Sequence, residues 1–406
     1  MDDKKITYID LFAGCGGLSE GFNMSDLYEG LAHVEWKLPM VQTLRNRLIK
    51  KYHYDDVESK KRVIFYDLQK TENLLKGVKK QEEGIFRNNN SSEFLEGGLD
   101  NIVKNKKVDL IIGGPPCQAY SIAGRAQDKN SMQFDYRNYL FESFAKIVDH
   151  YKPKMFVFEN VGGILSASPG GVSVLERIYK SFYEIGYEIR KPKNQKKSLL
   201  NSNDFGVAQN RKRVIIIGKR ISDNIELENI YAEIEKNKTP IKLSLKDAIG
   251  DLPKIFPKSA NSNKTSHFVD GDISINDHTP RFHNFRDIEI FKYWIDKKMN
   301  NVTLQEKLNF YLEKTGKTSN HNKYRALEWN KPSPTIVSHL NKDGLMFIHP
   351  DSKQSRTITV REAARIQSFP DDFEFIGSMG MKYIMIGNAV PPNMAKQISI
   401  SISKYL

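Results

Sequence analysis

Cys15 and Cys117 are the two thiols of this 406-residue chain. Cys117 lies in GGPPCQAYSIAGR (113–125), behind two glycines and two prolines. The prolines stiffen such a loop and the glycines let another molecule come close. A thiol held there is exposed and positioned, as a nucleophile must be. The competing reading is a small hydrophobe tucked under the loop, the commoner fate of an isolated cysteine. Glu159 follows the apolar run MFVF (155–158), and a carboxylate there is costly to bury without a partner or a task. Arg211 and Arg213 alternate in QNRKR (209–213), just before VIIIG (214–218). At the start of a strand that spacing puts both guanidiniums on one face; the alternative is a solvated basic cluster.

A second constellation suits a nucleotide-type ligand. ITYIDLF (6–12) runs into AGCGGLSEGF, where Gly14, Gly16 and Gly17 permit a tight turn and close backbone approach. The spacing is not GxGxxG, so the dinucleotide fingerprint is not met. Glu35 and Trp36 end the next apolar run, and Asp67 ends the one after. A carboxylate in such a place accepts ribose hydroxyls, an indole offers a flat face to adenine, and a third acid accepts from an exocyclic amine. Each alone reads as a solvated acid or a core aromatic. Together they fall where open α/β sheets bind ligands, at the carboxyl ends of successive strands.

The elements that must position these residues are short buried strands: 6–12, 31–36, 62–66, 108–114, 155–161 and one at 214–218, with a helix at 38–51. Apolar strands with helices between them indicate a largely parallel α/β sheet covered on both faces. Residues 70–107 are polar, with the run Asn88-Asn89-Asn90-Ser91-Ser92, and read as an insertion, partly loop. Residues 221–320 are polar and weak in strand pattern. Apolar order returns at 346–350, followed by helices at 361–369 and 393–406. The expected division is a catalytic and cofactor-binding domain at 1–220, a second domain at 221–355, and a C-terminal segment at 356–406 that returns to the first.

The set DLFAGCGGLSEGF, GGPPCQAYS, FENV, QNRKR and IGNAVPP, in that order, resembles the DNA (cytosine-5) methyltransferase family over nearly the whole chain, from Asp10 to about Gln397. The resemblance implies a Rossmann-like methyltransferase sheet, with a smaller, variable target-recognition domain inserted before the C-terminal segment. It makes the cofactor S-adenosyl-L-methionine, held by Phe12, Gly14, Gly16, Gly17, Leu18, Glu35, Trp36, Asp67, Leu68, Pro116, Asn388, Ala389 and Val390. It makes Cys117 the nucleophile that adds to ring carbon 6 of cytosine. Glu159 becomes the acid serving ring nitrogen 3, which asks for a carboxyl whose affinity for protons is raised. Arg213 grips the base's carbonyl oxygen, with Arg211 beside it. The loop after the nucleophile would close on DNA through Gln118, Ser121, Arg125 and Lys129. The target atom is hidden in a stacked duplex, so the cytosine must be flipped out, at a cost of a few kcal/mol. Tyr120 stands where the family more often has Phe.

The implied partner is double-stranded DNA, with a restriction endonuclease as functional counterpart in a restriction–modification system. No metal is called for, and the expected state is a cytoplasmic monomer. A tRNA cytosine-5 methyltransferase and a non-catalytic DNA-binding relative stay open as alternatives. Composition is consistent with these readings. Two cysteines exclude a disulfide framework or a Cys-based zinc cluster. No run approaches the ~18 apolar residues of a membrane span, and the N-terminus lacks a signal-peptide pattern. The net charge is +13, which favours a polyanionic partner. The excess is local: residues 1–100 carry 15 basic and 17 acidic groups, residues 101–220 carry 21 and 10, residues 221–320 carry 15 and 15, and residues 321–406 carry 11 and 7. Phosphate contacts are therefore expected around Cys117 and the arginines, and sequence reading in a formally neutral domain.

Overall fold

A computed structural model of the chain describes residues 5–78, 84–116, 140–259, 265–272 and 274–406. Its first compact unit comprises residues up to Phe205, Lys212–Pro240 and Ala389–Leu406. The strands in chain order are β1 (Ile6–Leu11), β2 (Tyr28–Glu35), β3 (Val63–Phe65), β4 (Leu110–Gly113), β5 (Met155–Val161), β6 (Tyr187–Glu188), β7 (Leu199–Asn201), β8 (Gln209–Asn210) and β9 (Lys212–Arg220). All but β8 form one sheet, in the order β3-β2-β1-β4-β5-β9-β6, with β7 also on β9. β3 to β5 are parallel neighbours along that order, and β9 runs antiparallel to β5. Both faces are covered, so the strands are nearly continuous runs of Val, Ile, Leu and Phe, with Ile9, Val34, Ile64, Ile111, Val157 and Ile216 wholly buried.

Strand order reverses between β1 and β4, which is where such sheets leave a crevice at their carboxyl ends. The register lines those ends up: Leu11 lies beside Val34 and Gly113, Glu35 beside Phe65, and Gly113 beside Phe158. The helix Pro392–Ser403 returns to this unit and packs on the helix Gly17–Asn23.

The insertion at 70–107 is more ordered than expected. It carries helices at Thr71–Lys76, Gly84–Asn88 and Ser92–Val103. It also closes the free edge of β3: the Asn90 amide donates to the Phe65 carbonyl at 2.8 Å and accepts from the Phe65 N–H at 2.8 Å. One side chain thus does the work of a neighbouring strand at an edge that would otherwise invite pairing.

The second unit comprises Gly206–Arg211 and Ile241–Asn388. Residues 221–240 and 356–388 therefore lie on the other side of the expected boundaries. Its regular structure is sparse: an antiparallel pair, Lys254–Pro257 with His267–Asp270, and β8 beside Ser333–Pro334. Five helices belong to it among the described residues: Leu245–Ile249, Phe285–Asp296, Leu304–Thr315, Val360–Ile366 and Met379–Asn388. A small apolar core gathers Phe291, Trp294, Phe310 and Tyr324. Around it lie buried polar groups, chief among them Arg356 paired with Glu362 at 2.6 Å. No helix among the described residues is long and apolar enough to cross a membrane.

Candidate active site

The glycine turn after β1 is held from two sides. Phe12 takes a left-handed conformation, φ 58°, which swings the chain off the strand. Gly16, φ 93°, caps the following helix, and a Cβ there would sit 2.4 Å from Leu44. Cys15 and Leu18 are buried beneath the turn. Burial pushes the Cys15 thiol up to about 12, so this cysteine is a packing residue. The short helix is tied down by a buried ion pair: Arg47 meets Glu20 with Nη2–Oε1 at 2.5 Å and Nε–Oε2 at 3.0 Å.

Glu35 reaches back from the end of β2 to the same turn. Its Oε2 accepts from the Gly14 N–H at 2.9 Å, and its Oε1 from the N–H groups of Trp36 and Lys37 at 3.0 and 2.9 Å. The carboxyl is 5% exposed. Burial raises its pKa, opposed by those three backbone donors. A carboxylate has about four acceptor sites, so one stays open on Oε2. The next residue, Trp36, is 47% exposed, a flat apolar face left in solvent beside a polar anchor. Asp67 follows β3, its Oδ1 accepting from the Gln69 N–H at 3.0 Å, and Leu68 is buried below it.

Across the switch point, β4 runs into Gly113-Gly114-Pro115-Pro116. Glu159, on β5, packs against this turn so closely that a Cβ on Gly114 would lie 2.7 Å from its Oε2. Its Oε1 receives Arg213 Nε at 2.8 Å. Arg213 pairs with Val161 across the antiparallel β5–β9 ladder, which is why it arrives there. Both side chains are about nine-tenths buried. Asn160, quoted in the FENV motif but given no task by the sequence, is buried too: its Nδ2 donates to the Pro115 carbonyl at 3.4 Å and its Oδ1 accepts from Val161 N–H at 2.9 Å. Its signal was there, an amide at the end of an apolar strand next to the one acid.

The family model for C-5 cytosine-specific DNA methylases matches residues 77–404. The chain belongs to that family. Its chemistry is therefore transfer of a methyl group to carbon 5 of cytosine in DNA. A type II methyltransferase of Bacillus paralicheniformis, M.Bpa9945I, is 36% identical over 98% of both chains. Another from Desulfomicrobium norvegicum, M.DdeI, is 31% identical over 98% of this chain and 89% of its own. Among solved structures, a protein of an Escherichia coli prophage described as a DNA modification methyltransferase superposes with a TM-score of 0.59 at 23% identity, over 98% of this chain and 99% of its own. That likeness supports the fold.

For a cytosine-5 methylase the arrangement corrects one sequence expectation. Arg211 does not join Arg213 on a common face. It is fully buried in the second unit, where Nη1 donates to the Ile336 carbonyl at 2.8 Å and Nη2 to the Gly387 carbonyl at 2.9 Å. The residue lies between β8 and β9 rather than in a strand, so alternation does not apply to it, and its role is to clamp backbone. Of the three late cofactor candidates, Asn388 is exposed at the end of the second unit, while Ala389 and Val390 open the last segment of the first. Cys117, Gln118, Ser121, Arg125 and Lys129 lie outside the described residues.

Proposed function

We propose that this enzyme is the modification half of a restriction–modification system, methylating a cytosine flipped from duplex DNA with S-adenosylmethionine as donor. The observation that carries the reading is the Glu159–Arg213 pair, seated against Gly114 three residues before Cys117. Support for the biological setting comes from relatives that are type II methyltransferases.

The residues at the crevice fit the cofactor. Glu35 keeps one acceptor site for a ribose hydroxyl, Trp36 offers an exposed face for adenine, and Asp67 supplies a further carboxylate. When bound, S-adenosylmethionine supplies a methyl group activated by its sulfonium. The chain's own residues prepare the base. The Cys117 thiolate adds to ring carbon 6, which makes carbon 5 nucleophilic. Once carbon 5 is methylated, a base takes its proton, the 5,6 double bond re-forms and the bond to Cys117 breaks, releasing the thiolate. Glu159 serves the proton at ring nitrogen 3 through the carboxyl group that faces the Gly114 turn. Arg213 spends Nε on Glu159 and Nη1 on the Lys212 carbonyl. The rest of its five-donor fork is left for the base's carbonyl oxygen, so the ion pair orients the arginine without using it up.

The test offers the purified protein labelled S-adenosylmethionine with duplex DNA, with tRNA, and with a duplex carrying 5-fluorocytosine at the target. Label in duplex DNA and a covalent adduct on the fluorinated site are expected. Cys117→Ala should lose both while still binding cofactor. Label in tRNA alone, or turnover by that variant, overturns the reading.

A further inference from the structure

The segment KPKNQKK (191–197) puts four lysines into seven residues, and the fold holds them on a rigid frame. Pro192–Ser198 is a 3-10 turn. Gln195 and Ser198 face inward; Gln195 Nε2 donates to the Arg190 carbonyl at 2.7 Å, and Arg190 Nη1 to Ser198 Oγ at 3.3 Å. Arg190 itself is buried, its guanidinium 3.4 Å from the centre of the Tyr231 ring. The lysines face out: Lys191, Lys193, Lys196 and Lys197 are all exposed.

What distinguishes them from ordinary surface lysines is what has happened to the nearby acids. Glu228 is engaged by Arg190 in a two-point contact, 2.8 and 2.6 Å, and Glu188 by Lys219 at 3.0 Å. Lys197 adds only a longer-range attraction to Glu228. None of the four lysines makes an ion pair among the described residues. The patch is thus a block of four exposed like charges without an acidic partner among the described residues, a local positive potential at the surface.

Its position gives it a use. The turn feeds β7, and β7 pairs with β9 so that Leu200 lies beside Arg213. Lys197 lies three positions before Leu200, and a strand spacing of about 4.8 Å separates Leu200 from Arg213, so the Cα of Lys197 stands at most about 16 Å from that of the base-gripping arginine. A duplex turn is about 34 Å. We infer that Lys191, Lys193, Lys196 and Lys197 form an anchor for the phosphate backbone of duplex DNA flanking the target base. The patch lies outside the pocket, reads no base, and supplies sequence-independent affinity. The inference rests on the DNA reading above.

The test compares the full chain with the variant K191Q/K193Q/K196Q/K197Q in equilibrium binding of two duplexes, one ending about two base pairs (about 7 Å) to either side of the target base and one longer by a full turn on each side. Cofactor binding monitors folding, and the all-arginine variant restores the charge. The salt slope on the long duplex is expected to fall by about 0.9 per lost contact, up to about 3.6 for all four. Affinity for the long duplex should drop at least tenfold at 0.1 M salt, affinity for the short one much less, and the arginine variant should bind like the parent. An unchanged slope overturns the inference, as does equal weakening on both duplexes, which would place the lysines at the target itself. A greater loss for tRNA than for duplex assigns the patch to RNA and also overturns it. Binding alone reads these outcomes, so a parent that failed to methylate DNA would sink the function without deciding the patch.

Discussion

The two units of this molecule are held together by different physics. The sheet unit sets its ion pairs, the buried Arg47 with Glu20 and the half-buried Arg190 with Glu228, around one large apolar cluster that runs from Ile9 to Ile216. In the second unit three of the largest wholly buried side chains are arginines, Arg211, Arg356 and Arg361. Arg361 donates to the carbonyls of Asn276, Pro370 and Phe373, and Arg211 to those of Ile336 and Gly387. Four histidines, His267, His278, His283 and His349, are buried with them. Hydrophobic burial needs no direction, whereas a polar network holds only while every donor keeps its acceptor. The second unit, which buries four histidines, should be the more sensitive of the two to mild acid.

Acid gives the largest expected separation. Burial pushes His283 and His349 down to about 3 and His267 to about 4, and lowers His278. A histidine whose folded value is depressed stabilises the fold fully above its unfolded value near 6.5 and loses that contribution as pH falls. At pH 5, His283 and His349 alone account for roughly 4 kcal/mol. Two buried carboxyls of the sheet unit carry the opposite sign: burial raises Asp10 and Glu35, so at these two sites the folded state takes up protons first and gains stability as pH falls toward their range. Trp294 and Trp329 lie in the second unit, which makes tryptophan fluorescence weighted to it. Urea unfolding at pH 7 should show nearly coincident fluorescence and far-UV dichroism transitions. At pH 5 the fluorescence transition should come earlier. Coincidence at both pH values would break the comparison.

The same difference explains what the sequence revealed. Strands β1 to β5 and β9 were legible because burial on both faces writes itself as uninterrupted Val, Ile and Phe. Their carboxyl ends then located Glu35, Trp36, Asp67 and Glu159 without a coordinate. The second unit left no such trace. Its Gln209, Arg211 and Gln367 are wholly buried, yet they are polar letters in polar stretches, and nothing local says that their partners are backbone groups and one another, up to 176 residues away. Its borders were missed for that reason. Arg211 shows the error in one residue: strand alternation was applied where the chain is passing from one unit to the other. Asn90 hid in a low-complexity run because edge protection is a matter of where the run lands, not of its composition.

Arg211 and Arg213 allow a sharper cut, two residues apart. Arg211→Ala leaves two buried carbonyls without their charged donor, and should cost about 3 kcal/mol of stability. Its effect on methyl transfer should follow the folded fraction. Arg213→Ala removes a guanidinium from the Glu159 side chain on the paired strands β5 and β9. It should lower stability too, because Glu159 loses its buried partner, but it should slow single-turnover methyl transfer by about 10²-fold or more at a saturated folded fraction, the range of one lost electrostatic group in a reacting site. Stability and rate measured on both variants decide it. If Arg211→Ala were stable but slow, the alternating pair read from the sequence would stand after all.

The smallest effect concerns Trp36 and separates packing from binding within the sheet unit itself. Nearly half of this side chain is in solvent, so its removal uncovers little and should leave the melting temperature within a degree or two. Stacking of a base on an aromatic ring is worth about 1–3 kcal/mol, so Trp36→Ala should weaken S-adenosylmethionine binding about tenfold by calorimetry, and Trp36→Phe much less. Glu35 cannot serve the same purpose, because its three backbone bonds shape the glycine turn and its loss would confound fold with affinity. A Trp36→Ala protein that melts normally and binds cofactor as tightly as the parent would move the adenine to another face of the crevice, leaving Glu35 as a structural acid of the turn.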